Sequence, residues 1–291
     1  MPRANTMSIF SAPKIDCHCH ILDPVNFAYA QDVAYRPQGQ ETGTAAYFAQ
    51  VLRSYGFAHA LLVGPNSGYG TDNRCMLDAI ARSDGMFKGI AVVPNDASLD
   101  QLQALKAQGV VGIAFNVALH GLAHYANIAP LLQRLADVQM FAQVQVDGPQ
   151  MVAFAPVLLA SGAEILIDHG GRPSMPLGPQ EPGFQSILQL GATGRANIKL
   201  SGWQKFSTTP YPFDDTDWVF TELLHAFGPA HCMWGSDWPF LKATQRLDYG
   251  PLLALLAQRV PDAKVRQAIL WDTPRHLFGF DAKTSGPTAG H

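Results

Sequence analysis

Ile15-Asp16-Cys17-His18-Cys19-His20-Ile21 is an apolar approach that breaks into alternating polar and soft side chains. Read as a β-strand, it places residues two apart on a common face, so Asp16, His18 and His20 are expected to point one way and Cys17 and Cys19 the other. Two imidazoles about 7 Å apart along one face, by the strand rise, can converge on one metal ion or one carbonyl oxygen. A core strand seldom carries such a pair, and the rest of the chain is best read outward from it.

Short β-rich apolar runs recur after this one, at Ala58–Val63, Phe87–Val93, Val110–Phe115, Met140–Val146, Glu164–Asp168, Ala196–Ser201 and His231–Gly235. Between them lie segments of helical period near Ala45–Tyr55, Asp72–Arg82, Leu99–Gln108, Ile128–Asp137, Pro149–Ser161, Phe184–Gly191 and Asp217–Phe227. Two more helical segments, Tyr249–Arg259 and Lys264–Trp271, follow the last strand. The strands are apolar on both faces, as in a parallel sheet covered by helices. Eight such units predict a single α/β domain, a (β/α)₈ TIM barrel with extra C-terminal helices. No G-x-G-x-x-G follows the first strand, which argues against a dinucleotide-binding sheet. Residues 1–13 are read as an N-terminal arm, 14–280 as the barrel and 281–291 as a flexible tail.

Hydrophobic residues make up 47% of the 291 and charged residues 15%, with a formal net charge of −3. No basic stripe appears, so neither nucleic acid nor an anionic membrane is an expected partner. No apolar run reaches the ~18 residues of a membrane span. Met1 to Phe10 lacks a signal-peptide core, and a cytoplasmic enzyme is expected, with a small molecule as partner and a homo-oligomer left open. Four cysteines, Cys17, Cys19, Cys75 and Cys232, are too few and scattered for a disulfide scaffold and read as buried packing thiols.

In a barrel, function collects at the C-terminal strand ends. His18 and His20 close the first strand, His169 follows Ile165-Leu166-Ile167-Asp168, and Asp237 follows Trp234-Gly235-Ser236. With Ile167-Asp168-His169-Gly170-Gly171-Arg172-Pro173 and Trp234-Gly235-Ser236-Asp237-Trp238-Pro239, the chain resembles the amidohydrolase superfamily, and within it the lactone-opening branch of the 2-pyrone-4,6-dicarboxylate lactonases. The resemblance runs from Lys14 to Phe280 and takes in Gly70-Thr71-Asp72-Asn73 and Thr273-Pro274-Arg275-His276-Leu277-Phe278.

The resemblance implies that Asp237 is the base that takes a proton from water. It implies that His18, His20 and His169 stabilise the charge growing on the ester carbonyl, and that the product is a ring-opened acid. The same four residues are the ligand set for one Zn²⁺ in the alternative reading. The fourth strand ends Gly112-Ile113-Ala114-Phe115-Asn116 and the fifth reads Phe141-Ala142-Gln143-Val144-Gln145-Val146, so neither supplies the lysine, carboxylate or imidazole of a two-metal centre. A two-metal centre is therefore not expected, and the resemblance to the lactonases implies hydrolysis with no metal at all, so chemistry without a cofactor is the favoured expectation.

Substrate contacts are expected from Tyr35, Lys205, Arg172, Asn116, His120 and Tyr69. Tyr35 resembles the family's loop tyrosine, and Lys205 stands where the family has an arginine. Ala114 falls where the dicarboxylate lactonases place another arginine, which removes an anchor for a carboxylate. The expected substrate is a lactone with fewer carboxylates than the dicarboxylate. Rival readings are a zinc-dependent decarboxylase, a sugar-lactone isomerase and a catalytically silent metabolite-binding barrel. Lys199, in Ile198-Lys199-Leu200, is a buried lysine that needs a partner.

Overall fold

A computed structural model describes residues 9–280; part of the expected N-terminal arm and all of the 281–291 tail lie outside the described residues. Eight strands form one sheet in the order of the chain: β1 (Lys14–Cys19), β2 (Phe57–Val63), β3 (Phe87–Ala91), β4 (Val110–Asn116), β5 (Phe141–Gln145), β6 (Glu164–Ile167), β7 (Ala196–Leu200) and β8 (Cys232–Trp234). All seven neighbouring pairs are parallel. The seam between β8 and β1 closes just beyond the strand ends. There Asp237 N donates to His18 O at 2.8 Å and His20 N to Trp238 O at 2.8 Å. The result is the expected (β/α)₈-type barrel.

Its helices are α1 (Ala45–Ser54), α2 (Arg74–Ala81), α3 (Leu99–Ala107), α4 (Val117–His120), α5 (Ala129–Asp137), α6 (Met151–Ser161), α7 (Pro182–Ala192), α8 (Asp217–Phe227), α9 (Tyr249–Arg259), α10 (Ala263–Gln267) and α11 (Thr273–Phe278). The last two flank a π-helical turn at Ala268–Asp272, where sequence period indicated one continuous helix. Local chemistry sets the helix starts. Thr44 accepts from Tyr47 N before α1, and Ser98 with Gln101 forms a reciprocal capping box before α3. The main core lies between sheet and helices. A second cluster, with Trp271, Phe278 and Phe280 against Ile15, Cys17 and Phe141, plugs the end of the barrel opposite the site.

β1 departs from simple alternation. Asp16 pairs with Ala60 and Cys19 with Leu62, so three steps on β1 face two on β2, which is a β-bulge. Cys17 joins the plug cluster with Ile15, while Asp16 bonds to Ser236 and to Tyr249 of α9. Asp16 therefore does not share a face with His18, contrary to the strand reading. The bulge re-aims His18 into the barrel one residue after Cys17.

Candidate active site

Three imidazoles and a carboxylate meet at the floor of a cavity of about 440 Å³ at the C-terminal strand ends. Oδ1 of Asp237 lies 3.8 Å from His18 Nε2, 3.7 Å from His20 Nε2 and 3.8 Å from His169 Nε2. That oxygen is buried and has no hydrogen-bond partner among the described residues. Oδ2 is held by Lys205 Nζ at 2.8 Å and Gln204 Nε2 at 3.0 Å. All four clustered residues are buried, the most open being His20 at 8% exposed.

Each imidazole is oriented from behind. His20 Nδ1 lies 2.8 Å from Val63 O, His169 Nδ1 3.0 Å from Ser201 Oγ, and His18 Nδ1 3.2 Å from Asp168 Oδ1. Such partners fix the ring and leave Nε2 free to face the centre. Under His18 lies a closed polar ring: Lys199 Nζ donates to Asp168 Oδ1 at 3.1 Å and Gln143 Oε1 at 2.5 Å, and Gln143 Nε2 donates to Asp168 Oδ2 at 2.8 Å. Lys199 Nζ also lies 3.2 Å from His18 Nδ1. The buried lysine has its partners, and they are those of the site.

Backbone shape serves the same end. A Cβ at Gly235 would come within 2.7 Å of His18 Cβ, so only glycine lets the end of β8 approach His18. Gly202, at φ 67°, leaves room for the His169 ring, which a Cβ would meet at 2.4 Å. Asp16 ties the seam behind them, accepting from His18 N at 3.1 Å, Ser236 N at 2.9 Å, Ser236 Oγ at 2.6 Å and Tyr249 Oη at 2.9 Å.

The charges follow from burial and neighbours. Burial brings His18 down to about 4, with Lys199 adding to the effect and Asp168 opposing it. Burial and the nearby His18 hold His169 well below the usual imidazole range. Both rings are therefore neutral near pH 7 and carry a lone pair. Burial pushes the Asp237 carboxyl up, but the Lys205 ammonium beside it outweighs burial and holds the group well below the usual range. Asp168 behaves alike: Lys199 and His18 overcome burial and keep it ionised.

This arrangement overturns the expectation of a cofactor-free site. His18, His169 and Asp237 present ligand atoms that all lie within 4.8 Å of one another, in a buried group suited to a metal ion. The bare Oδ1 and the neutral rings are the donor set of a mononuclear centre. His20 completes the ring around Oδ1 without belonging to that tightest group.

Of the expected substrate contacts, Lys205, Arg172 and Asn116 line the cavity. Arg172 pairs with Asp147 at 2.9 Å, and the Asn116 side chain accepts from Leu119 N to start α4. Tyr35, Tyr69 and His120 do not line it. Tyr35 Oη bonds to Glu41, Tyr69 Oη accepts from Asp23 N at 3.0 Å, and His120 stacks on His124 at 4.7 Å beside Asn66. Sequence reasoning did not single out Gln204 or Ser201. The glutamines of the fifth strand, one of which (Gln143) proves to be part of the polar ring, carried a signal: polar residues two apart in an apolar run.

The amidohydrolase family profile matches residues 15–280, and the chain belongs to that family, in its lactone-hydrolysing branch. It is 32% identical to a 4-sulfomuconolactone hydrolase of Rhizobium radiobacter over 96% of this chain and 95% of that protein. A 4-sulfomuconolactone hydrolase of Hydrogenophaga intermedia is 27% identical over 92% of this chain and 89% of its own length. A solved structure of a probable 2-pyrone-4,6-dicarboxylic acid hydrolase from Acinetobacter baumannii, with citric acid bound, superposes with a TM-score of 0.81 at 27% identity, covering 92% of this chain and 99% of that one. The protein is an enzyme with a hydrolase-type active site. No helix among the described residues is long and apolar enough to cross a membrane.

Proposed function

We propose that this enzyme opens a lactone that carries an anionic substituent, by adding water to the ring carbonyl and releasing an acid. The observation that carries the reading is the convergence of three imidazole Nε2 atoms on the unpartnered Oδ1 of Asp237 at the floor of a cavity. His18, His169 and Asp237, with His20 beside them, would hold a single divalent ion such as Zn²⁺. When bound, the ion supplies Lewis acidity at this centre.

The chain's own groups do the rest. Asp237, ionised and facing the cavity, takes a proton from the attacking water and returns it to the departing ring oxygen. Lys205 and Gln204, both on Oδ2, hold the carboxylate in one orientation and leave Oδ1 turned to the imidazoles. Burial of the cluster excludes bulk water and strengthens each charge interaction. Around the reacting centre, Ala114 in place of a charged residue leaves one wall small and neutral, consistent with a ring bearing few charges.

The test is a spectroscopic screen of the zinc-loaded enzyme against pyrones, butenolides and sugar lactones, with and without carboxylate or sulfonate groups. Loss of lactone absorbance that disappears in Asp237→Asn supports the proposal. A panel left intact by metal-loaded protein overturns it.

A further inference from the structure

Three cationic residues line the cavity, Arg172, Lys205 and Lys242, from the loops that follow β6, β7 and β8. Two are neutralised within the chain: Arg172 by Asp147 at 2.9 Å and Lys205 by Asp237 at 2.8 Å. Lys242 has no carboxylate in ion-pair range among the described residues. Its ammonium sits 4.7 Å over the ring of Tyr35. The wall across the barrel, from the loops after β2 and β4, is uncharged and includes Asn66, Ser67, Ala118 and Leu119.

Lys242 is also held by its backbone. Lys242 N donates to Glu41 Oε1 at 2.6 Å, and the other oxygen of Glu41 takes the hydroxyl of Tyr35. One carboxylate thus clasps the lysine to the tyrosine whose ring carries its charge. The lysine adopts φ 58°, a conformation that favours glycine, so its side chain is kept at a cost in backbone energy.

We propose that Lys242 is a specificity-determining residue, whose ammonium receives the anionic substituent of the lactone, and that Tyr35 is the positioning residue that holds it at the cavity wall. The inference rests on the lactone-opening reading and deepens it. On this reading Tyr35 bears on the substrate through Lys242, from outside the cavity. A ring face attracts a cation without neutralising it, so the charge stays available to an incoming oxyanion. With neutral groups across the mouth, the anion is drawn to the β8 side while the ring carbonyl lies over the imidazoles.

The experiment uses three butenolides of one skeleton, bearing a carboxylate, a sulfonate or an uncharged amide. Lys242→Met is expected to raise KM for the charged lactones roughly 10-fold, the loss of one charge-assisted contact, with less than about a twofold change for the amide. Lys242→Arg restores the low KM. Tyr35→Leu reproduces part of the rise, and Tyr35→Phe, which keeps the ring, does not. A rise confined to one oxyanion identifies which of the two the site takes. Calorimetric titration of the same lactones into Asp237→Asn, with and without Lys242→Met, reads recognition apart from turnover. Equal effects on charged and uncharged lactones, or none, overturn the proposal even where ring opening itself is established.

Discussion

Lys199 is fully buried, and among the described residues the carboxylate that balances its charge is Asp168, which it meets at 3.1 Å. Replacing it by methionine keeps the volume and removes the charge. Asp168 is then left as a buried anion with only Gln143 and His18 to serve it, a loss of about 3–5 kcal/mol for a broken buried pair. For 291 residues, at roughly 2.1 cal/mol/K of unfolding entropy each, that corresponds to a Tm lower by about 5–8 °C. The measurement is thermal unfolding of the metal-free protein, so that bound ion does not mask the change. Asp168→Asn alone is expected to cost a similar amount, because it strands the ammonium. The double variant, Lys199→Met with Asp168→Asn, is expected to lose less than either single one, since an amide still accepts from His18 Nδ1 and no charge is left unpaired. Single variants within about 2 °C of the parent, or a double variant that loses the sum of the two, would refute the account of a coupled ion pair beneath His18.

Other consequences follow from the same geometry. Asp237→Asn is expected to lower kcat by about 10²–10⁴-fold, the range for loss of a positioned acid–base group, while folding is retained; rapid-mixing kinetics with circular dichroism checks both. Dialysis against a chelator abolishes turnover, and added Zn²⁺ restores it with a rise in Tm. Ser201→Ala frees the back of His169 and weakens metal affinity by about 10–100-fold, read by competition with a chromophoric chelator. Lys14, buried with Nζ 2.5 Å from Ala12 O, is brought by burial down to about 8 from 10.5. Between these two values the unfolded chain holds more protons, so stability rises with pH across that window and is flat below it. Lys14→Met is accordingly expected to stabilise at pH 7, by less than the shift alone implies because the bond to Ala12 O is lost, with the gain fading toward pH 10.5, as followed by urea unfolding.

The barrel was legible because its strands are covered on both faces and so appear as unbroken apolar runs that a helical segment separates. His18, His20, His169 and Asp237 stood out because each ends such a run. What lay behind them did not. The bulge in β1 is a matter of its register with β2, and nothing in Asp16-Cys17-His18 marks where the extra residue falls. Lys199 was conspicuous as a charge within an apolar strand, yet its partners come from β5 and the end of β6, and no local pattern names them. Tyr35 and Tyr69 lie in the long loop after β1 and the loop after β2, where no period fixes side-chain direction. Their hydroxyls are taken by Glu41 and by the backbone of Asp23. The metal question turned on the same blindness: the expectation of cofactor-free chemistry came from the family resemblance, the residues missing in the fourth and fifth strands speaking only against a second metal, whereas the donor set is completed by a carboxylate oxygen that the fold leaves without a partner among the described residues.

Backbone strain gathers at the same mouth. Of the eight non-glycine residues with positive φ among those described, five lie in two short segments: His169 and Arg172 after β6, and Asp237, Phe240 and Lys242 after β8. A left-handed conformation costs a side-chain-bearing residue about 1–2 kcal/mol, so these turns trade stability for direction. Lys242 allows a clean test, since its side chain is exposed and its φ is 58°. Lys242→Ala and Lys242→Gly remove the same ammonium, but only glycine relieves the backbone. The glycine variant is expected to be more stable than the alanine variant by about 1 kcal/mol, while both lose discrimination for charged lactones alike. An alanine variant more stable than the glycine variant by about 0.4–1 kcal/mol, the unfolded-chain entropy of glycine, would mean that the turn carries no strain. A glycine variant that kept the discrimination would show that the ammonium does not carry it, and that the strained turn serves some other end.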